Sequence, residues 1–176
     1  GSLAMPTPLT RRTALLGLSS LAVLAACGDS GGSKFRSYNG PAITQIQVYK
    51  AKRRMHFFSD QTLIKTYKIA LGGNPVGAKR FEGDGKTPEG LYFIDRRNPN
   101  SAFHLSLGIS YPNAQDTAFA EAQGKKPGGD IFIHGRAGAN KGRGRDWTAG
   151  CIAVKDPEIE EIYAMIATGT PIFIYP

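Results

Sequence analysis

Residues 43–71 alternate apolar and polar side chains with a period of two, a pattern that admits little besides a half-buried sheet. Residues 43–49 and 65–71 carry the alternation, with 55–58 as a short strand between them. Residues 72–90 hold many glycines with Pro75 and Pro88 and read as a loop. Residues 91–94 form a further strand before the turn Asn98-Pro99-Asn100. Alternation returns over 103–111, with Phe103, Leu105, Leu107 and Ile109 on one face and His104, Ser106 and Ser110 opposing them. Residues 117–123 have helical character, 124–129 form a loop, and 131–134 make a short apolar strand. The clearest helix spans 157–167, with Asp156 as N-cap, Pro157 at its first position and Glu158, Glu160 and Glu161 near its positive end. Ile159, Ile162, Tyr163 and Ile166 share its buried face, and Gly169 ends it before a last strand over 171–175. The expectation is a single mainly-β domain, a sandwich or barrel, with one or two short helices.

The N-terminal stretch sets the compartment. Residues 1–4 read as a cloning scar ahead of Met5. Arg11 and Arg12 precede a mostly apolar run over 13–26, shorter than the about 20 residues a transmembrane helix needs and shaped like a secretory signal. The run ends in Leu24-Ala25-Ala26-Cys27, which resembles a lipoprotein signal-peptidase site. Cys27 is therefore expected to become an acylated N-terminus that anchors the protein to a membrane from the periplasmic side; a plain cleaved signal is the competing reading. The Gly/Ser-rich stretch that follows suits a flexible tether. The expected division is 1–26 scar and signal, 27–40 tether and 41–176 catalytic domain, long enough to bury a core without staples.

The formal charge of +8, from 22 Lys+Arg against 14 Asp+Glu, suits an acidic partner: nucleic acid, anionic lipid or an anionic wall polymer. No nucleic-acid-binding motif accompanies it, and export argues against nucleic acid. With Cys27 acylated, Cys151 is the one thiol left, and no intramolecular disulfide is expected.

Cys151 follows the small-residue turn Thr148-Ala149-Gly150, and His134 ends the apolar run Ile131-Phe132-Ile133. A lone thiol with a distant histidine is the arrangement of a nucleophile and its general base, joined by the fold. A free thiol titrates near about pH 8.5 and needs such a base, which can later return the proton to a leaving amine. Gly150 permits a sharp turn, and the amides of Gly150 and Cys151 are candidates for an oxyanion site. The bland competitors are a thiol used as a small core hydrophobe and a satisfied core histidine. His104 is balanced between site and structure, His56 reads as surface, and Trp147 packs under the loop or stacks at the site mouth. One Cys and scattered His give no metal-ligand spacing, so neither a metal nor another cofactor is expected.

Ile133-His134-Gly135, followed after a loop by Thr148-Ala149-Gly150-Cys151-Ile152-Ala153, resembles the YkuD-type L,D-transpeptidases of the bacterial cell wall. The resemblance covers roughly 43–176 and takes in Gly83-Asp84-Gly85-Lys86-Thr87-Pro88-Glu89-Gly90. It implies a YkuD-like fold in which Cys151 attacks a peptidoglycan stem peptide with His134 as base. The resulting thioester passes to the side-chain amine of a diaminopimelate, forming a crosslink. Stem peptides carry carboxylates, so Arg136, Arg143 and Arg145 are candidate anchors, with Thr148 and His104 as further substrate contacts.

Three positions depart from the family pattern. Ala149 replaces a second His, Ala153 replaces a polar residue, and Gly135 stands where Ser is frequent. These departures resemble a short, divergent branch that includes a lipoprotein-releasing amidase and enzymes joining L-Ala to diaminopimelate. The expected product is then the L-Ala–diaminopimelate (1-3) crosslink, made by a monomer that acts on stem peptides. Hydrolysis of the same polymer, as an L,D-carboxypeptidase or amidase, is the alternative; a non-catalytic wall-binding lipoprotein ranks last.

Overall fold

The alternation in the first part of the domain folds into a meander. In the computed structural model, which describes residues 32–138 and 144–176, β1 (Gln45–Tyr49), β2 (Arg54–Ser59) and β3 (Thr62–Lys68) pair antiparallel in chain order. Ile46 and Val48 of β1 and Met55 and Phe57 of β2 turn inward at two-residue spacing. Five strands follow: β4 (Gly90–Asn98), β5 (Ser106–Ile109), β6 (Phe132–His134), β7 (Ile152–Ala153) and β8 (Pro171–Tyr175). The spatial order is β3-β2-β1-β8-β4-β5-β6-β7, so the last strand of the chain lies inside the sheet. β8 runs parallel to β1 and antiparallel to β4. The sheet curls until its ends approach: Ala70, just past β3, bridges Ala153 of β7, and Gly72 bridges Thr148. With helices α1 (Ala114–Glu121) and α2 (Asp156–Met165), this is the mainly-β domain that the sequence predicts.

Helix α2 packs Ile159 and Ile162 against β5 and β6, the face its spacing predicts. Each such buried side chain contributes about 1.5–3 kcal/mol. The helix starts one residue earlier than expected, however: Lys155 is the N-cap and Asp156 is the first helical residue. Helix α1 begins earlier than residue 117, because Asn113 and Asp116 close a capping box, with the Asp116 amide donating to Asn113 Oδ1 at 2.9 Å.

The strand expected over 103–111 is shorter in the structure. Phe103 and His104 leave the sheet, His104 with φ of 78°, and all four residues of β5 are buried. A strand covered on both faces does not report its orientation by alternation. Within the stretch expected as a tether, Lys34 and Arg36 bond to the rest of the domain. Lys34 Nζ donates to Pro99 O at 2.6 Å and His104 O at 3.1 Å, and the Arg36 guanidinium grips Glu160 Oε2 at 2.9 and 2.7 Å. Ser33–Pro176 forms one compact unit.

Lys50 is 2% exposed, which its charge gave no reason to expect. Its ammonium donates to Gly77 O at 2.8 Å, Thr87 O at 2.9 Å and Glu89 Oε1 at 3.1 Å, fastening the glycine-rich loop to the end of β1. Lys50→Met leaves two carbonyls and a carboxylate without their cation. We expect a loss of about 3 kcal/mol, read as a lower midpoint in urea unfolding with an unchanged slope.

Candidate active site

The turn that presents Cys151 is held from outside. Gly150 has φ of 137°, where L side chains are strained, and a Cβ on it would lie 2.6 Å from Lys86 O. Thr87 Oγ1 donates to Gly150 O at 2.8 Å, and Thr148 Oγ1 donates to Cys151 O at 2.7 Å. Thr87 belongs to the segment 83–90, which Asp84 organises. Its carboxylate accepts the amides of Arg80, Phe81 and Lys86 and the Lys79 ammonium at 2.9 Å. Burial opposes ionisation of Asp84, but these donors outweigh it and hold the carboxyl below its usual range.

Strands β6 and β7 are parallel, with Ile133 opposite Ile152 and His134 opposite Ala153. Alternation, carried one residue back from β7, puts Phe132, His134, Cys151 and Ala153 on one face, with the thiol and the imidazole as diagonal neighbours. The Phe132 amide donates to Cys151 Sγ at 3.4 Å, and the thiol donates to Asp130 O at 3.4 Å. Burial pushes the thiol pKa up; the Phe132 amide opposes this and the Asp130 charge adds to it. The resting sulfur is therefore protonated at neutral pH.

His134 is 3% exposed, and burial lowers its pKa against the smaller upward pull of its bond to Gly135. Its Nδ1 lies 2.6 Å from Gly135 O. A carbonyl only accepts, so Nδ1 carries the proton and Nε2 keeps its lone pair. Phe103 stacks on the ring at 4.4 Å and Trp147 meets it edge-on at 5.5 Å. The pair is a neutral thiol and a neutral, oriented base.

The chain leaving His134 is pinned by Asp156. Its carboxylate accepts the amides of Arg136 at 2.6 Å, Ala137 at 3.0 Å and Gly138 at 2.8 Å. This explains Gly135, since a Cβ there would lie 2.4 Å from Asp156 Oδ1 and 2.9 Å from Phe103 O. On the far side of the loop, Arg53 forks onto Asp146 at 2.9 and 2.8 Å, and the Leu71 amide donates to Asp146 Oδ1 at 3.2 Å.

Several expected site residues have other work here. The Thr148 hydroxyl bonds within its own turn, donating to Cys151 O and accepting the Gly150 amide at 3.1 Å. Of the two expected oxyanion donors, the Cys151 amide is the one without a hydrogen bond among the described residues. His104 is engaged by Glu160 of α2, Nε2 to Oε1 at 2.9 Å, rather than held ready for a ligand. Arg136 and Arg145 line one cavity. Arg143 and Cys27 lie outside the described residues. Sequence reasoning passed over Asp84, Thr87, Phe103 and Asp156. Asp84 alone left a signal, an Asx-turn residue between two glycines. Among the described residues no three His, Cys, Asp or Glu gather as a metal site.

A thiol after a strained glycine, with its base one strand away, is joined by a match over residues 43–174 to YkuD, the L,D-transpeptidase catalytic domain family. The chain belongs to the YkuD family. The Escherichia coli K12 protein YafK, whose name places it among the L,D-transpeptidases, is 30% identical over 137 residues, covering 74% of this chain and 50% of YafK. The helical cell shape determining protein Pgp2 of Campylobacter jejuni superposes with a TM-score of 0.60 at 27% identity, over 78% of this chain and 49% of Pgp2. Bd1075 of Bdellovibrio bacteriovorus gives 0.56 at 26% identity, over 80% of this chain and 50% of its own. This YkuD chain thus spans about half the length of the curated relatives it matches.

The Asp156 clasp yields a pH test. Burial raises its pKa, but the three amide bonds lower it further, so the folded value lies below the unfolded one. Its contribution is complete above the unfolded pKa of about 3.9 and is lost as pH falls through the depressed folded value. In Asp156→Asn the charge is absent at every pH. The stability gap from wild type, measured by denaturant titration, is expected to be constant above about pH 5 and to close in acid.

Proposed function

We propose that this domain is a peptidoglycan L,D-transpeptidase that works through a thioester on Cys151, in an exported, lipid-anchored, monomeric protein of the periplasm. The observation that carries this reading is the thiol set diagonally from a buried imidazole whose Nδ1–H is fixed on Gly135 O. His134 Nε2 takes the thiol proton as sulfur bonds to the carbonyl carbon of an L-residue in the stem. The Cys151 amide is available to the oxyanion. Collapse breaks the C–N bond, the proton from His134 goes to the leaving amine, and the thioester remains. Burial disfavours a free thiolate, so proton removal and attack are coupled. A diaminopimelate amine then resolves the thioester.

Ala149 and Ala153 present no hydrogen-bonding side chain near the sulfur. A less polar pocket supports the L-Ala–D-Glu bond as donor and L-Ala–diaminopimelate (1-3) crosslinks as product. The description of Pgp2 as a cell-shape determinant fits action on the wall. Incubation with a defined disaccharide-tetrapeptide, with dimers sequenced by tandem mass spectrometry, tests this. Dimers joined only between two diaminopimelates overturn the donor choice, hydrolysed monomer alone replaces the transferase by a hydrolase, and unchanged substrate points to a wall-binding role.

Two substitutions test the chemistry. Cys151→Ala is expected to fold normally and form no acyl-enzyme by intact-protein mass. His134→Gln is expected to slow acylation about 10²–10⁴-fold. Wild-type acylation should level off once pH passes the lowered His134 pKa, below the ordinary histidine value of about 6.5. The variant should still be climbing at about pH 9, because its thiol has only solvent to ionise it. Parallel profiles would make His134 structural.

A further inference from the structure

The bond from His134 Nδ1 to Gly135 O fixes one edge of the imidazole, but a stacked neighbour is needed to fix its plane. Phe103 supplies that neighbour, at 4.4 Å and 19° between the rings. It lies outside the sheet, in the turn between β4 and β5. Its carbonyl accepts the amides of Leu105 at 3.1 Å and Gly135 at 3.0 Å. The turn thus meets the segment of the base twice, by a ring and by the backbone.

The next residue, His104, has φ of 78°, a conformation that a residue with a Cβ keeps only where its surroundings impose it. Two holds converge on it. Its Nε2 donates to Glu160 Oε1 at 2.9 Å, and its carbonyl accepts Lys34 Nζ at 3.1 Å. Lys34 also reaches Pro99 O at 2.6 Å, so one ammonium ties the start of the turn to its end. Glu160 is shared: Arg36 Nε and Nη2 donate to its other oxygen, Oε2, at 2.9 and 2.7 Å. Burial opposes ionisation of Glu160, but the bonds to His104 and Arg36 outweigh it and hold the carboxyl below its usual range. Lys34 and Arg36 both belong to the stretch ahead of β1, so contacts run unbroken from that stretch to the imidazole.

We propose that the segment carrying Lys34 and Arg36 is a positioning element of the active site, holding the turn 99–104 so that Phe103 sets the plane of the His134 ring. The inference rests on the reading of His134 as general base. Lys34, Arg36, His104 and Glu160 are positioning residues that act through Phe103. Nε2 must face the thiol proton while sulfur attacks, and a relaxed turn lets the ring tilt away from that line. A misplacement of about 1 Å at a reacting group costs about 10²-fold in rate, and a partial loosening costs less. The Arg36 side chain is 42% exposed, and surface ion pairs contribute little to stability. What this pair supplies is geometry rather than folding energy.

The test uses the full chain. Intact-protein mass reads acylation by a stem-peptide donor, and NMR follows the imidazole titrations of the three histidines. Lys34→Ala/Arg36→Ala is expected to slow acylation at saturating donor about tenfold, with the half-saturating donor concentration unchanged. Burial holds the His134 pKa down, so uncovering the ring should move its titration up toward the ordinary value of about 6.5. Phe103→Leu, with Lys34 and Arg36 in place, is expected to do both. Lys65→Ala, which removes a neighbouring ion pair with Glu161 at 3.3 Å, is expected to do neither. An unchanged rate and titration in the double variant overturn the proposal, whatever its unfolding midpoint, and so does an equal effect from Lys65→Ala. A raised half-saturating concentration with an unchanged maximal rate overturns it in favour of substrate binding. Should the wild type form no acyl-enzyme on Cys151, the transpeptidase reading falls and the titration alone decides the coupling: a shift in the double variant sustains it, and no shift overturns it.

Discussion

The hydrogen bond from Thr87 to the Gly150 carbonyl decides whether the thiol has a fixed position at all. A backbone at φ of 137° does not stay there by its own preference, and nothing in the two-residue β7 is long enough to impose it. The hold comes from a loop that is distant in sequence, itself shaped by Asp84 and secured by Lys50. Polar groups inside a protein are costly when unpaired and rigid when fully paired. Here a chain of paired ones runs from the end of β1 to the residue before the nucleophile.

Burial acts on both the Cys151 thiol and the His134 imidazole, and in each case it favours the neutral form. It raises the pKa of a group that becomes negative and lowers that of a group that becomes positive. A resting thiolate–imidazolium ion pair is thereby disfavoured. The Gly135 carbonyl orients the base in the place where other triads use a carboxylate. A neutral acceptor fixes the tautomer without stabilising the imidazolium by a full charge.

Much of this was legible in the sequence, for identifiable reasons. The meander and the buried face of α2 follow from periods of two and of three to four, which hydrophobic burial writes directly into residue order. Cys151 and His134 stood out because each ends a short apolar or small-residue run. Lys50 and Asp156 were hidden, because each acts on chain brought near only by folding. The departure of His104 from the strand was not legible, because the alternation of β5 extends in sequence back beyond the point where the strand begins. The bonds of Thr148 within its own turn were not legible either, because a hydroxyl beside a thiol reads the same whichever way it faces.

Asp156 and Asp146 together have a consequence for how this site can vary. One clasps the amides of residues 136–138 and the other locks residue 146 to Arg53. The chain is thus fastened after His134 and again before Cys151. Loop closure costs rise only slowly with length. A change of length between those two anchors therefore leaves the spacing of sulfur and imidazole undisturbed, since residues 136–138 and residue 146 each keep their own hold.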